Sequence, residues 1–337
     1  EDERLLEDLG LVLASRSVDR FRIWEEKGRG LHLVLIKEKE YPAAPDTAPF
    51  QVQPLSTFSL RTPDREELKD FAQLASFYYP SYVLPPFFRF PGKMADMAEA
   101  GAFKAVIAVD PKGHMGGGML WYWRGLKIMA CSGPYLFNQP QESPMAEALM
   151  EALLQDIART RAVGLLSRYP TRDLPLNFFE PLGSFSFFPS KGAPLWITAY
   201  YRHLHEDAGS MVWSHSEMAP FLKQAFERMI LPRDLRELKD FGERRNPYSV
   251  LSAKFDRDRN LVTLYPLRPG SDEEQNVANH LTLLRKEGWR NIFFEMDLAK
   301  SQQVEFAPAL IKNNVLPCLL LPYAGEGDVV LFQAAGF

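Results

Sequence analysis

Ser143-Pro144-Met145-Ala146-Glu147-Ala148-Leu149-Met150-Glu151-Ala152-Leu153-Leu154-Gln155-Asp156-Ile157 reads as one amphipathic helix. Serine then proline is a helix opening, because proline lacks an N–H only where none is needed. Met145, Leu149, Leu153 and Ile157 recur every four residues and form one apolar stripe. A stripe this regular has to lie on an apolar surface, and the residues upstream supply one. Runs 103–109, 115–123 and 126–137 alternate like strands, and Asp110-Pro111-Lys112-Gly113 and Arg124-Gly125 supply the turns between them, so an antiparallel meander precedes the helix. Further upstream, strand 57–61 leads into a helix with Thr62 at its N-cap, Pro63 at its first position and Leu68, Phe71, Ala75 and Tyr78 on one face. Downstream come a strand at 163–167, a short helix near 174–182, and strands at 184–188 and 195–201.

The last third repeats this order. Ser271 with Glu274 reads as a capping box, Val277, Ala278, Leu281 and Leu284 form the stripe, and Gly288 stops the helix. Strand 291–296, a helical stretch near 302–312, and strands 315–321 and 328–333 follow. Both final hairpins carry a Pro-x-x-Gly turn, Pro189 to Gly192 and Pro322 to Gly325. The pattern is an internal duplication of a helix, strand, helix, hairpin unit. Ser214 with Glu217 reads as the cap of a further helix, with Met218, Phe221, Leu222 and Ala225 on its inner face.

Composition bounds the function. The 337 residues are 46% hydrophobic and 24% charged, enough apolar surface for about two cored domains. A net charge of −4 provides no general positive field, so nucleic acid and anionic membranes are not expected partners. Cys131 and Cys318 are far apart and form no metal or redox motif, which places the expectation in the cytoplasm. The acidic start without Met reads as a fragment or a processed form.

Residues 41–54 contain Pro42, Pro45, Pro49 and Pro54 and read as an extended linker between a head and the body. The head reads as a helix over 5–20 and a hairpin of 20–25 with 31–37. Its Asp8-Leu9-Gly10-Leu11-Val12-Leu13, Val18-Asp19 and Leu31-His32-Leu33-Val34-Leu35 resemble the C-terminal end of a GHKL-type ATPase of the anti-sigma-factor serine kinase kind. In that family a glycine stands where this chain has Asp8, whose charge would repel phosphates, so ATP binding by this chain is not expected.

The order strand, helix, meander, helix, strand, helix, hairpin resembles the GNAT acyltransferases, well over 57–203 and loosely over 212–337. The fold class this implies is α/β (α+β): two GNAT-like mixed-sheet units in tandem after a short helix-hairpin segment. The boundaries are 1–41 for the ATPase-like tail, 42–56 for the linker, 57–205 for the first GNAT-like domain and 206–337 for the second. The resemblance implies an acyl-CoA pyrophosphate held by a glycine-rich turn at a helix N-terminus. The matching residues are Gln141, Ser143, Met145 and Ala146, but Pro144 replaces a glycine and removes a donor, while Glu142 adds a negative charge. It also implies a tyrosine general acid, and Phe179 stands at that position with no proton to give. Aromatic residues 77–90 fall at the acceptor loop, making Tyr79, Tyr82 and Arg89 the candidate substrate contacts, with inter-domain packing as the simpler role.

Gly116-Gly117-Gly118 lacks the Lys-Ser/Thr of a phosphate loop and reads as a bulge or close backbone approach. His203, His205, His215 and Glu217 read as a surface connection rather than a metal site. The expectation is a regulatory module of a bacterial signalling protein that binds a small molecule or a protein partner. The alternative is an acyl-CoA-dependent N-acyltransferase, similar in tandem layout to the Fem aminoacyltransferases.

Overall fold

The computed structural model describes residues 20–26, 30–37, 39–45, 47–140, 142–189, 192–238 and 246–335. The chain divides into two compact units, Glu1–Pro42 and Ala43–Phe337. In the first, β1 (Arg20–Glu26) and β2 (Gly30–Ile36) pair antiparallel as the alternation predicts. The helix expected over 5–20, and the residues 8–13 that carry the ATPase resemblance, lie outside the described residues.

The larger unit opens with the proline-rich stretch, which runs extended but is fastened down. Side-chain amides satisfy backbone that proline keeps out of a sheet: Asn138 Nδ2 donates to the Val52 carbonyl at 2.9 Å, and Leu55 N–H donates to Gln139 Oε1 at 2.9 Å. Next come β3 (Ser59–Arg61), α1 (Arg65–Tyr78), α2 (Pro91–Glu99), β4 (Lys104–Val109), β5 (Met115–Trp123), β6 (Ile128–Leu136), α3 (Met145–Ile157), β7 (Gly164–Ser167), β8 (Glu180–Phe187) and β9 (Leu195–His203). The cap of α1 is Asp64 rather than Thr62. Asp64 accepts from Glu67 N–H while Glu67 accepts from Asp64 N–H, a reciprocal box that Thr62 lies too far back to form. All four stripe residues of α3 are fully buried. The helix expected near 174–182 is only a 3₁₀ turn, Leu176–Phe178, because β8 already begins at Glu180.

These strands form one sheet in the order β3-β4-β5-β6-β7-β9-β8, antiparallel except where β6 and β7 lie parallel across α3. Gly116–Gly118 are sites of close approach: a Cβ on Gly117 would stand 2.7 Å from the Tyr135 carbonyl oxygen, and the register shifts on both sides of the triplet.

The second copy comprises β10 (Ser210–Ser214), α4 (Ala219–Arg228), β11 (Arg233–Glu237), β12 (Val250–Asp256), β13 (Leu261–Arg268), α5 (Glu273–Lys286), β14 (Asn291–Asp297), α6 (Ser301–Val304), α7 (Ala307–Lys312), β15 (Val315–Leu321) and β16 (Val329–Ala334). Its sheet order, β12-β13-β14-β16-β15, with β13 and β14 parallel across α5, repeats β5-β6-β7-β9-β8 strand for strand. The duplication is therefore visible in topology. The copies differ where β10 and β11 pair with each other in parallel rather than extending the sheet, so β12 is its edge. Two expected caps are corrected. Ser214 ends β10 and its hydroxyl donates to the His215 carbonyl, and Ser271 donates to the Pro247 carbonyl, leaving Asp272 at the head of α5 to accept from Ser249 N–H.

One core joins the copies. The face of β7-β9-β8 opposite α3 presents Leu166, Phe185, Phe187, Ile197 and Ala199 to Phe293, Leu319 and their neighbours, with Phe185 and Phe293 edge to face at 5.6 Å. Gln333 and Asn291 seal its rim by exchanging hydrogen bonds with the backbone of Ser186 and Phe188.

Candidate functional site

At the N-terminus of α3, Pro144 is the N-cap and has no N–H. The Ser143 N–H is taken by the Pro140 carbonyl and the Met145 N–H by Ser143 Oγ at 3.3 Å. Ala146 and Glu147 keep the amides without a partner among the described residues. Met145 is fully buried, its thioether packed where Gly116 and Gly117 leave no room for a Cβ, so it belongs to the core. Glu142 is exposed beside this turn, and Gln141 lies outside the described residues.

Beyond the helix, β6 and β7 separate. Only Ile128–Ala130 pair with Gly164–Leu166, after which the remainder of β6 continues without β7 beside it. An extended ligand could pair with the strand edge exposed by such a fork. Here the chain occupies that edge itself. The Tyr79 hydroxyl accepts from the Leu136 N–H and shares its single proton between the Leu136 carbonyl, at 3.0 Å, and Asp173. Thr171 Oγ1 donates to the Pro134 carbonyl at 2.6 Å. Burial, and then the Asp173 hydrogen bond, push the Tyr79 phenol far above its ordinary value, and burial raises Asp173 as well.

Phe179 closes the 3₁₀ turn and packs against the core beneath α3. Burial pushes the thiols of Cys131 and Cys318 up to about 12, so neither is a thiolate near neutral pH. The residues present fit an acyl-CoA poorly: Pro144 removes one donor from the turn, Ser143 and Met145 spend theirs within the chain, an exposed carboxylate flanks it, and the strand edge is filled.

The aromatic loop is a joint between the copies. Tyr82 lies against Phe187 at 5.5 Å, and Arg89 pairs with Asp258 of the β12–β13 turn. From that turn Arg259 also reaches back to the carbonyls of Leu84 and Ser81. Tyr79 thus faces the fork, while Tyr82 and Arg89 face the second copy; the fold does not bring the three together at one cleft.

Two buried charge clusters were missed in the sequence. In one, Arg233 donates to Asp328 at 2.6 Å and Asp207 at 2.8 Å, with the Tyr323 hydroxyl also on Asp207. Burial opposes ionisation of Asp207, yet Tyr323 and Arg233 hold it below its ordinary value. In the other, Glu295 of β14 meets Arg168, at the end of β7, and Arg124, at 3.2 Å from the β5–β6 turn. Burial again opposes the charge, and the two guanidiniums outweigh it. The signal available was a lone Glu inside the apolar run 291–296, since an unpaired charge is not tolerated in a buried strand.

A cleft of about 1010 Å³ lies between the end of β9 and the α4–β11 loop, lined by His203, His205, Asp207, Phe226 and Ile230. There His203 Nε2 faces the Met229 carbonyl at 3.1 Å. Among the described residues no group of three or more His, Cys, Asp or Glu could hold a metal ion, and no helix is long and apolar enough to cross a membrane.

No family model matches the chain, and no curated protein matches it. Solved structures resemble part of it. One is a GNAT superfamily phosphinothricin acetyltransferase from Sinorhizobium meliloti in complex with acetyl-CoA, 17% identical, covering 45% of this chain and 91% of that one with a TM-score of 0.33. Another is an N-acetyltransferase from Staphylococcus aureus Mu50, 13% identical, covering 44% and 100%, with a TM-score of 0.36. Likenesses of this size assign no activity.

Proposed function

We propose that this chain is a ligand- or partner-binding module built on two acyltransferase-type sheets, whose first sheet has given up the acyl-CoA cleft. The observation that carries the reading is the Tyr79 hydroxyl seated on both backbone groups of Leu136, where an acyl chain carrier would have to lie. Supporting it are Pro144 in the turn and Phe179 in place of a proton donor. The setting we propose is regulatory, within a bacterial signalling polypeptide, on the resemblance of residues 8–13 and the following hairpin to an anti-sigma-factor kinase.

An acyl-CoA-dependent N-acyltransferase is the second reading, favoured by the Ala146 and Glu147 amides, which have no partner among the described residues. Calorimetric titration with acetyl-CoA, paired with a free-thiol assay on a panel of primary amines, separates the two. The expected result is no heat at millimolar cofactor and no thiol release. Saturable binding with amine-dependent thiol release would overturn the module reading.

A further inference from the structure

Where the end of β9 meets the α4–β11 loop, the cleft of about 1010 Å³ has room for a ligand and lies between the two copies, a common place for one. Its apolar surface comes from Leu204, Leu235, Ile230 and Pro232, over buried Phe226 and Met229. Its rim is acidic. Glu180, Glu206 and Glu227 are all exposed on it, and none has an ion pair or a side-chain hydrogen bond among the described residues. Lys223 is the only lysine or arginine lining the cleft that is not already bound to carboxylates. Below the rim Arg233 is shared by two carboxylates, Asp207 and Asp328, so that cluster is also negative by one charge. The cleft therefore combines an apolar floor with surplus negative charge.

The rim also carries an apolar side chain that the fold does not use. α4 ends in a paired turn, in which Ile230 N–H donates to the Glu227 carbonyl at 3.2 Å and Leu231 N–H to the Phe226 carbonyl at 2.9 Å. Such a turn puts the residue after the cap in the left-handed region, where glycine is the ordinary choice. Ile230 stands there with φ 52°, a conformation that a β-branched residue rarely adopts. It is 87% exposed, so no packing within the chain offsets the strain. An isoleucine held at the lip of an apolar cleft gains its contact from what enters the cleft.

We infer that this cleft binds a small organic cation with an apolar body, the body against Ile230, Leu204 and Leu235 and the charge among Glu180, Glu206 and Glu227. Arg233 already lies over the Phe226 ring at 5.8 Å, so carboxylates rather than an aromatic face hold the charge. No lining residue belongs to the α3 turn or to the fork of β6 and β7, which separates this site from any acyl-CoA cleft. The site gives the binding-module reading a ligand class and rests on that reading for its role.

The test titrates the whole chain calorimetrically with hexyltrimethylammonium, which has no N–H to acylate. Tetramethylammonium keeps the charge without the body, and hexanoate keeps a similar body with the opposite charge. Saturable binding of hexyltrimethylammonium is expected in the millimolar range or tighter, weakening as salt is raised. Tetramethylammonium should bind at least roughly tenfold more weakly, since each buried methylene is worth about fourfold, and hexanoate should give no saturable heat. Ile230→Gly should raise the urea midpoint or leave it unchanged, yet weaken binding roughly fivefold. Glu206→Gln combined with Glu227→Gln should weaken it by a similar factor. A hexyl cation that binds no better than tetramethylammonium, hexanoate that binds as well, or either variant binding like the parent would each overturn the inference. So would a lowered urea midpoint for Ile230→Gly, which would mean that the side chain packs within the fold. Acetyl-CoA turnover would sink the module reading and leave this site standing, whereas a silent cation titration beside a silent acetyl-CoA titration would sink the site alone.

Discussion

Replacing Tyr79 with Phe removes one oxygen and keeps the ring, so the T-shaped contact with Tyr135 at 5.1 Å survives. Lost are the acceptor for the Leu136 N–H, a donor to its carbonyl and the proton shared with Asp173. A buried amide left without a partner costs about 1–3 kcal/mol, and a hydrogen bond to a charged group is worth about 1.5–3 kcal/mol. Asp173 is 21% exposed, so water recovers part of the second loss. The expected destabilisation is therefore about 3 kcal/mol, read as a lower urea midpoint with an unchanged slope. Trp196→Ser, at a residue 78% exposed, is the control and should shift stability by no more than about 0.5 kcal/mol. A Tyr79→Phe variant as stable as the parent would refute the claim that this hydroxyl closes the strand edge.

The other predictions concern the buried charge clusters and the joint between the copies. Arg233→Met leaves Asp207 and Asp328 facing each other in a buried site, and should cost about 3–5 kcal/mol in equilibrium unfolding; a loss below about 1 kcal/mol would mean the cluster is solvated. Gly125→Ala places a Cβ 2.2 Å from the Tyr323 carbonyl oxygen, so the β5–β6 turn must retreat from the second copy, at about 1–3 kcal/mol measured by thermal unfolding. Acid should unfold the protein through Glu295 and Asp207. Both are held below their ordinary values of 4.5 and 3.8, so their stabilisation is complete above those values and is lost as pH falls through the lower folded-state values. Stability measured from pH 6 to pH 2 should therefore drop mainly below about 4, and Asp207→Asn should flatten that slope.

Much of the fold could be read residue by residue. The four-residue spacing of Met145, Leu149, Leu153 and Ile157 needs no tertiary knowledge, and the structure buries all four. The meander, the strand after α3 and the repeated order in the last third follow from turn residues and alternation in the same way, whereas the parallel pairing of that strand with β6 does not. Caps were read less well, because Ser, Thr and Asp side by side compete for one role: Asp64 won over Thr62 through its reach to Glu67, and Ser271 was drawn away by Pro247. The arrangement of β10 and β11 was not legible, since a strand's partner is not written in its own residues.

For the candidate site the division is sharper. Pro144 and Phe179 could be read directly, because a missing N–H or a missing hydroxyl is a property of the residue. What Tyr79 does could not be read, as the atoms it satisfies lie 57 positions away at Leu136 and 94 away at Asp173. The pairing of Glu295 with Arg168 and Arg124 spans 127 and 171 positions. Periodicity and capping act over a single turn of helix or a few residues of strand, so the linear order of side chains specifies elements and their buried faces. Which charges meet, and whether an open strand edge is left for a ligand or filled by the chain, depends on how those elements pack. That packing alone brings distant groups within hydrogen-bond reach.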